Sequence, residues 1–369
     1  MTPAPPPLPP SLPPFASTFT PEVPDLLAAL RCSLVLSTYQ AGRVVVFSPR
    51  GESLAQLNRA FDAPMGMAVD GHGADLRLAV ATTDALHVLR NAPTLAGTYP
   101  NQPGTYYARL VPRATYYTGP LDLHDMAWDA DGHLIAVNTR FSCLCRVDGR
   151  HAFEPLWSPP FVTALDPSDR CHLNGLAVGA DGTPAFVSAL GATDTPRGWS
   201  DGRLTGGVVL DVATGETVAA GLAMPHSPRV VDGTLYVLQS ATGMLSAVDP
   251  ASGTTTDVCA VGGFARGLAR RGDYLFVRLS KIRGRSTFAG LPVTGHARHA
   301  GVVIVHAPSG QIAGSILFTS SAEEIYDVQV LPETARPGIV GPDQAVRGRA
   351  IPTEGGGFWA LDAAPGAAA

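Results

Sequence analysis

Three histidines stand at related places in a pattern that the chain repeats: His124 in LDLHDMAW, His172 in RCHLNGLAV and His226 in MPHSPRVV. Imidazole gains or loses a proton near neutral pH, and its neutral ring is a ligand for zinc, copper, iron or nickel. Aligning the repeats puts Met65, His124, Asn174, His226, Arg266 and Tyr326 in one column, successive members roughly 40 to 60 residues apart. Two residues earlier stand Asp122, His172, Met224, Phe264 and Glu324. Strand alternation would give the two sets a common side and make two stacked rings. Three histidines with one or two carboxylates at one mouth are a donor set for a single divalent metal ion. Without a metal, His124, His172 and His226 are general acids or bases, with Glu324 or Tyr326 moving a proton. Arg266 and Arg229 suit an anionic substrate group, because a guanidinium fork matches carboxylate and phosphate, or else they pair with Glu323, Glu324 or Asp125. Arg140, Asn174, Asp194, Arg197, Trp199 and Lys281 complete the candidate binding set, with Trp199 as a stacking lid or a loop anchor. Arg283 could serve the same anion as Lys281, and Tyr116 and Tyr117 could supply a proton or a wall.

The elements that must position these residues are short strands in pairs. LDLHDMAWDADGHLIAVN, from Leu121, reads as a strand, an Asp131-Gly132 turn and a second strand, with Cys143 to Val147 as a third. The pattern recurs from Pro64, His172, Met224 and Gly263. Periods near 40 to 50 with several strands each indicate propeller blades, whose innermost strands line a central channel. Ile325 to Pro332 offers a first strand without a second, and Ser33 to Tyr39 a second without a first. Joined, they make one blade from both ends of the chain. The expected fold is therefore an all-β, six-bladed propeller, with seven blades as the rival count.

The chain has 369 residues, of which 15% are charged, and a formal net charge of −5 with no long run of one sign. That gives no electrostatic basis for binding nucleic acid or an anionic membrane. The 40 glycines and 33 prolines suit an all-β protein with many tight turns. No apolar run is long enough to span a bilayer. Residues 1–20 read as a flexible Pro-rich tail, 21–332 as the propeller and 333–369 as a weakly ordered tail; a short helix is expected within Pro21 to Leu30. The Tyr-rich segment Thr94 to Thr118 reads as a long irregular connection. Five cysteines without a secretion signal point to reduced thiols in a cytoplasm. Cys143 and Cys145, one residue apart on a strand, face one side and fit the core. Walker, Rossmann, HExxH and GxSxG motifs are absent.

The words YYTGPLDLHDMAW, VNTRFSCL, RCHLNGLAV, ALGATDTPRGW, MPHSPR, GFARGLA, LSKIR, FAGLP and EEIYDVQVLP span nearly the whole chain. Through them the chain resembles a bacterial family of conserved hypothetical propeller proteins, sometimes joined to tetratricopeptide repeats. The resemblance implies the propeller fold and picks out His124, Arg140, His172, Asn174, Asp194, His226, Arg229, Arg266, Lys281 and Glu324. At greater distance the blades are similar to gluconolactonase and strictosidine-synthase-like propellers, which hold a metal with Glu, Asn and Asp; here only Asn174 matches, and histidines stand elsewhere. Two functions are compatible with these residues. One is an enzyme acting on a small anionic substrate at the channel, by metal-assisted hydrolysis or by elimination. The other is a non-catalytic platform for a peptide or protein, docking on the rim around the Gly191 to Gly206 insertion.

Overall fold

In the computed structural model, which describes residues 12–282 and 290–360, six four-stranded antiparallel blades form the ring. Arg283, residues 1–11 of the Pro-rich tail and residues 361–369 lie outside the described part. Blade 1 takes its inner strand, Asp327–Pro332, from the C-terminal part and its other strands, Cys32–Thr38, Arg43–Arg50 and Ser53–Ala60, from the N-terminal part. Cys32 pairs with Pro332 and Ser37 with Asp327, so the ring closes as the sequence pattern required. The inner strands of blades 2 to 6 are Met67–Asp70, Leu123–Trp128, Leu173–Val178, Pro225–Val231 and Phe264–Arg271.

The inner and middle strands are largely buried between neighbouring blades, which is why they read as apolar runs, whereas outer strands such as Glu154–Trp157 and Thr255–Ala260 stay partly exposed. In blade 3, Leu134 and Ala136 join the core shared with blade 2, together with Cys143 and Cys145. Ile135 and Val137 join the core shared with blade 4. The same division recurs around the ring, giving one apolar core between each pair of blades. Hairpins close with the expected residues. Asp232 and Gly233 both have positive φ (48° and 82°), the two-residue turn whose twist matches paired strands. The Asp131-Gly132 turn is longer than a two-residue hairpin: Leu134 pairs with Trp128, and the Asp129 carboxylate accepts the His133 N–H at 2.7 Å.

Both ends of the chain are more structured than their composition implies. Ser17–Phe19, placed by the sequence in the flexible tail, forms a fifth strand on the outer edge of blade 6. The helix Val23–Ala29 then buries Val23 and Leu27 in the core between blades 6 and 1. Beyond Pro332, where weak order was expected, Pro337–Ile339 pairs in parallel with the outer strand of blade 2. Ala350–Thr353 and Gly356–Trp359 follow as a hairpin. These pieces hold on through edge hydrogen bonds and single large side chains: Trp359 sits edge-on to Tyr99, ring centroids 5.6 Å apart. The Tyr-rich segment is likewise regular, since Ala108–Tyr117 is the outer strand of blade 2.

Hydroxyl groups join the blades near the axis. At the end of the second strand of blades 1, 3, 5 and 6 a serine or threonine reaches the start of the next blade's inner strand. Ser37 donates to the Met65 carbonyl at 2.6 Å, Thr139 to Leu173 at 2.5 Å and Ser280 to Ile325 at 2.9 Å; Ser240 donates to Ala265. Buried hydroxyls must be paired to avoid a desolvation cost, and here the pairing also fixes blade against blade.

Candidate functional site

The backbone turns sharply just before three of the inner strands. Asp122, His172 and Met224, each two residues before a column member, have φ of 55°, 52° and 56°. A left-handed residue breaks strand alternation, so positions two apart do not share a side. The column itself does converge: His124, Asn174, His226, Arg266 and Tyr326 line one small cavity on the axis. The second ring does not form. Met224 and Phe264 turn away into an apolar cap with Leu190, Trp199, Leu291 and Val293. Asp122 and His172 stay partly exposed at the mouth, and Glu324, also partly exposed, lies in a neighbouring groove.

The left-handed residue also fixes two imidazoles. The Met224 carbonyl lies 3.0 Å from His226 Nδ1, and the Asp122 carbonyl lies 3.0 Å from His124 Nδ1. Thr139 Oγ1 and Ser240 Oγ, at 2.8 and 2.9 Å from these nitrogens, have already given their protons to carbonyls. Both partners of each Nδ1 are therefore acceptors, so Nδ1 carries the proton and Nε2 the free lone pair. Burial holds both rings well below the ordinary histidine range; the charges of His172 and Arg266 add to this at His124, and that of Arg266 at His226. Both are neutral at physiological pH.

Other groups around the cavity are short of partners. Asn174 Nδ2, Arg266 Nε, Arg278 Nε and Tyr326 Oη are buried without a hydrogen-bond partner. Arg266 stacks over the Tyr326 ring at 5.2 Å. Burial pushes the Tyr326 hydroxyl well above the ordinary tyrosine range, so it remains protonated and acts as a donor. The space at the centre is about 10 Å³, close to the least that accommodates one water. The cavity is about the size of a single water.

One residue further along each inner strand, glycines alternate with polar residues: Gly66, Asp125, Gly175, Ser227, Gly267 and Asp327. Asp125 accepts the N–H of its neighbour Met126 and that of Leu176 in the next blade, both at 3.0 Å. Asp327 does the same with Val328 (2.7 Å) and Met67 (2.9 Å). The glycines leave room for these links; a Cβ on Gly267 would stand 3.1 Å from Asp327 Oδ1 and 2.7 Å from Arg278 Cγ. Arg229 belongs to this floor. Its Nη1 and Nη2 donate to Asp125 at 2.8 and 3.0 Å, and its Nε donates to the Leu268 carbonyl. The expectation that Arg229 clamps a substrate anion is corrected, because its guanidinium is spent on an internal carboxylate.

At the mouth, Asp169 accepts from His172 Nδ1 at 3.0 Å and from the Trp199 indole N–H at 3.1 Å. Trp199 lies against the His172 ring, centroids 4.4 Å apart, and is buried, so it anchors its loop and is no open lid. His172 in turn sits edge-on to His124 at 5.0 Å. Arg140 pairs with Asp122 at 3.0 Å. Asp194 holds the loop together by accepting from Thr163 and Arg170, which keeps its carboxyl below the usual carboxylate range. Arg197 is exposed, 5.3 Å from the Trp199 ring centre. Lys281 and Glu324 line a separate groove beside Gln40, away from the axial cavity. Tyr117 is exposed and Tyr116 packs between blades 2 and 3, both on an outer strand.

The three histidines do not gather as metal ligands. Among the described residues, the group of three His, Cys, Asp or Glu with donor atoms in mutual reach is the exposed turn Asp129, Asp131 and His133. Arg266, whose charge depresses His124 and His226, would also oppose a cation. The donor set at the axis does not fit the divalent ion expected from the sequence. The residues that sequence reasoning missed are Arg278, Asp327, Thr139 and Ser240. The one legible signal was an arginine inside the apolar run YLFVRLS.

A family described as a domain of unknown function, DUF4915, matches residues 21–340. No curated protein is similar enough to count as a match. A chain from the crystal structure of a nidogen/laminin complex superposes with a TM-score of 0.51 at 10% identity, covering 82% of this chain and 99% of that one. A protein of unknown function from Bacteroides caccae gives a TM-score of 0.48 at 9% identity, covering 81% and 98%. At these identities the likeness concerns the fold alone.

Proposed function

We propose that this chain, which belongs to the DUF4915 family, binds a small molecule by an anionic group at the channel axis and moves a proton on it with His172. The observation that carries the reading is the set of unpaired buried groups on Asn174, Arg266, Arg278 and Tyr326 around one cavity. Buried polar atoms without partners cost stability, and a cluster of them on the axis of a propeller calls for a ligand. Three of these groups are N–H donors, and the fourth is a hydroxyl that keeps its proton. Two of the three belong to arginines. Such a set suits a carboxylate or another small oxyanion. The cavity takes only the anionic tip; the rest of the molecule would lie over Asp122, Arg140 and His172.

Roles then separate by environment. His124 and His226 are neutral and pinned at Nδ1, so they offer Nε2 as an acceptor toward the ligand. His172 is the histidine whose Nδ1 faces a carboxylate, Asp169, which orients the ring. His172 is accordingly the base, and the reaction class is an elimination or a hydrolysis that begins with proton removal. A docking platform on the Gly191 to Gly206 loop has less support, since Trp199 is turned inward.

The test is a thermal-shift screen of small carboxylates and other oxyanions against wild type, Arg266→Met and His172→Gln. The reading expects stabilisation of wild type by a subset of carboxylates, its loss in Arg266→Met, and binding without turnover in His172→Gln. If no oxyanion raises the melting temperature of wild type above a chloride control, the reading fails.

A further inference from the structure

A second cleft lies on the flank of the ring, between the outer strand of blade 1 and the added strand Pro337–Ile339 on blade 2. Its volume is about 480 Å³, within the range of small-molecule pockets. Arg50, Arg59 and Arg336 line it with Gln102, Tyr106 and Gln344, and no Asp or Glu does. None of the three arginines makes an ion pair among the described residues. Arg59 donates only to backbone, to the carbonyls of Ile339 (2.7 Å) and Asn58 (3.0 Å). Arg336 faces the Tyr107 ring at 5.4 Å.

A fourth arginine stands behind the wall. Arg109 is fully buried, its guanidinium 3.6 Å from the centre of the Tyr99 ring and 4.1 Å from that of Tyr106, both rings lining the cleft. Its Nε, Nη1 and Nη2 all lack a hydrogen-bond partner. The ring faces offset part of the cost of burying the cation, but they supply no negative charge. Four guanidinium groups thus meet without a carboxylate, in a chain whose net charge is −5. Such a site lacks its counter-charge, and a cleft with protein walls focuses the field into its opening.

We propose that this flank cleft is a second ligand site, distinct from the axial cavity, which takes a small molecule through a phosphate or carboxylate group. Arg50 and Arg336 would grip the oxyanion from the rim, and the side-chain amides of Gln102 and Gln344 would bond the polar remainder. The proposal does not depend on the channel reading.

The experiment is isothermal titration of the full chain with inorganic phosphate and, separately, with succinate, at an ionic strength held constant with sodium chloride. It is repeated on Arg50→Ala/Arg336→Ala and on Arg266→Met. Saturable binding of either probe is expected, weakened about tenfold or more in the double variant, since hydrogen bonds to charged groups are the strong ones. Arg266→Met should keep the saturable component that the double variant weakens, whether or not it loses a separate succinate site at the axis. Whichever probe binds more tightly names the head group. Arg50 is exposed, so Arg50→Ala alone preserves the readout if the pair unfolds. Failure of both probes to saturate, undiminished binding in the Arg50 and Arg336 variants, or loss in Arg266→Met of the component that those variants weaken would each overturn the assignment.

Discussion

His226 Nδ1 lies 2.9 Å from the hydroxyl oxygen of Ser240, whose own proton goes to the Ala265 carbonyl of the next blade. One hydroxyl thus sets a histidine tautomer and ties blade 5 to blade 6. Replacing Ser240 by alanine leaves a buried carbonyl and a buried N–H each short of one bond. The expected cost is about 1–3 kcal/mol of unfolding free energy, read from urea denaturation. Thr139→Val should do the same between blades 3 and 4. An unchanged midpoint in both variants would contradict the bridging role.

The two buried histidines make stability depend on pH. Their folded values lie well below 6.5, so below that pH the unfolded chain binds protons that the folded chain refuses. Their contribution is complete above about pH 6.5 and is lost as the pH falls toward their folded values. Asp327 acts in the opposite direction. Burial, then repulsion by Asp125, pushes it from 3.8 up to about 6, so it favours the fold below pH 3.8 and loses that contribution as the pH rises through 6. Where the histidines are protonated only in the unfolded chain and Asp327 only in the folded one, two protons oppose one, so the net contribution of these three groups falls with acidification. Urea midpoints from pH 4 to 8 check this. His226→Gln should flatten the profile by one proton, and an unaltered slope would refute the assignment.

Arg229 and Asp125 join blade 5 to blade 3 under the cavity. Arg229→Met strands a buried carboxylate and should cost about 3–5 kcal/mol, whereas the double change Arg229→Met/Asp125→Asn should recover part of it. A double-mutant cycle measures the coupling. If Arg229→Met were neutral for stability but abolished ligand binding, the substrate-clamp role would return.

Gly175 sits where the inner strands approach most closely. A Cβ there would stand 2.5 Å from Ser188 Oγ and 2.7 Å from the Ser227 nitrogen. Gly175→Ala should destabilise by at least about 1–3 kcal/mol through overpacking, seen as a lowered melting temperature. Gly202→Ala, where a Cβ meets nothing within 4 Å, is the control and should be near neutral.

Arg266 is a buried cation whose Nε finds no partner, so its presence is not explained by stability. Arg266→Met should leave the melting temperature unchanged or raise it, and should raise the histidine titration by removing a nearby positive charge. NMR titration of the imidazole resonances reads the second effect. A large loss of stability would instead assign Arg266 to the scaffold.

The sequence alone determined the blades and the closure of the ring, and the structure decided for six blades over the rival seven. Each blade must bury both faces of short strands, and that demand prints an apolar run, a turn and a second run at every repeat. It also determined that His124, Asn174, His226, Arg266 and Tyr326 meet, because a shared register within a repeat becomes a shared height on the axis. It did not determine what those residues meet there. The left-handed turns at Asp122, His172 and Met224 reverse the side that alternation assigns, and a φ sign leaves no pattern in side-chain type. The sequence left Arg229 between a ligand anion and a carboxylate such as Asp125, and only the ring, which brings Asp125 across from two blades away, decided for the carboxylate. Trp199 could be seen as a lid until its indole N–H was found on Asp169. The four arginines of the flank come from blade 1, blade 2 and the segment after Pro332, so only the closed ring brings them together. Local periodicity records what each strand buries; which charges face each other across blades is decided by packing between segments far apart in the chain.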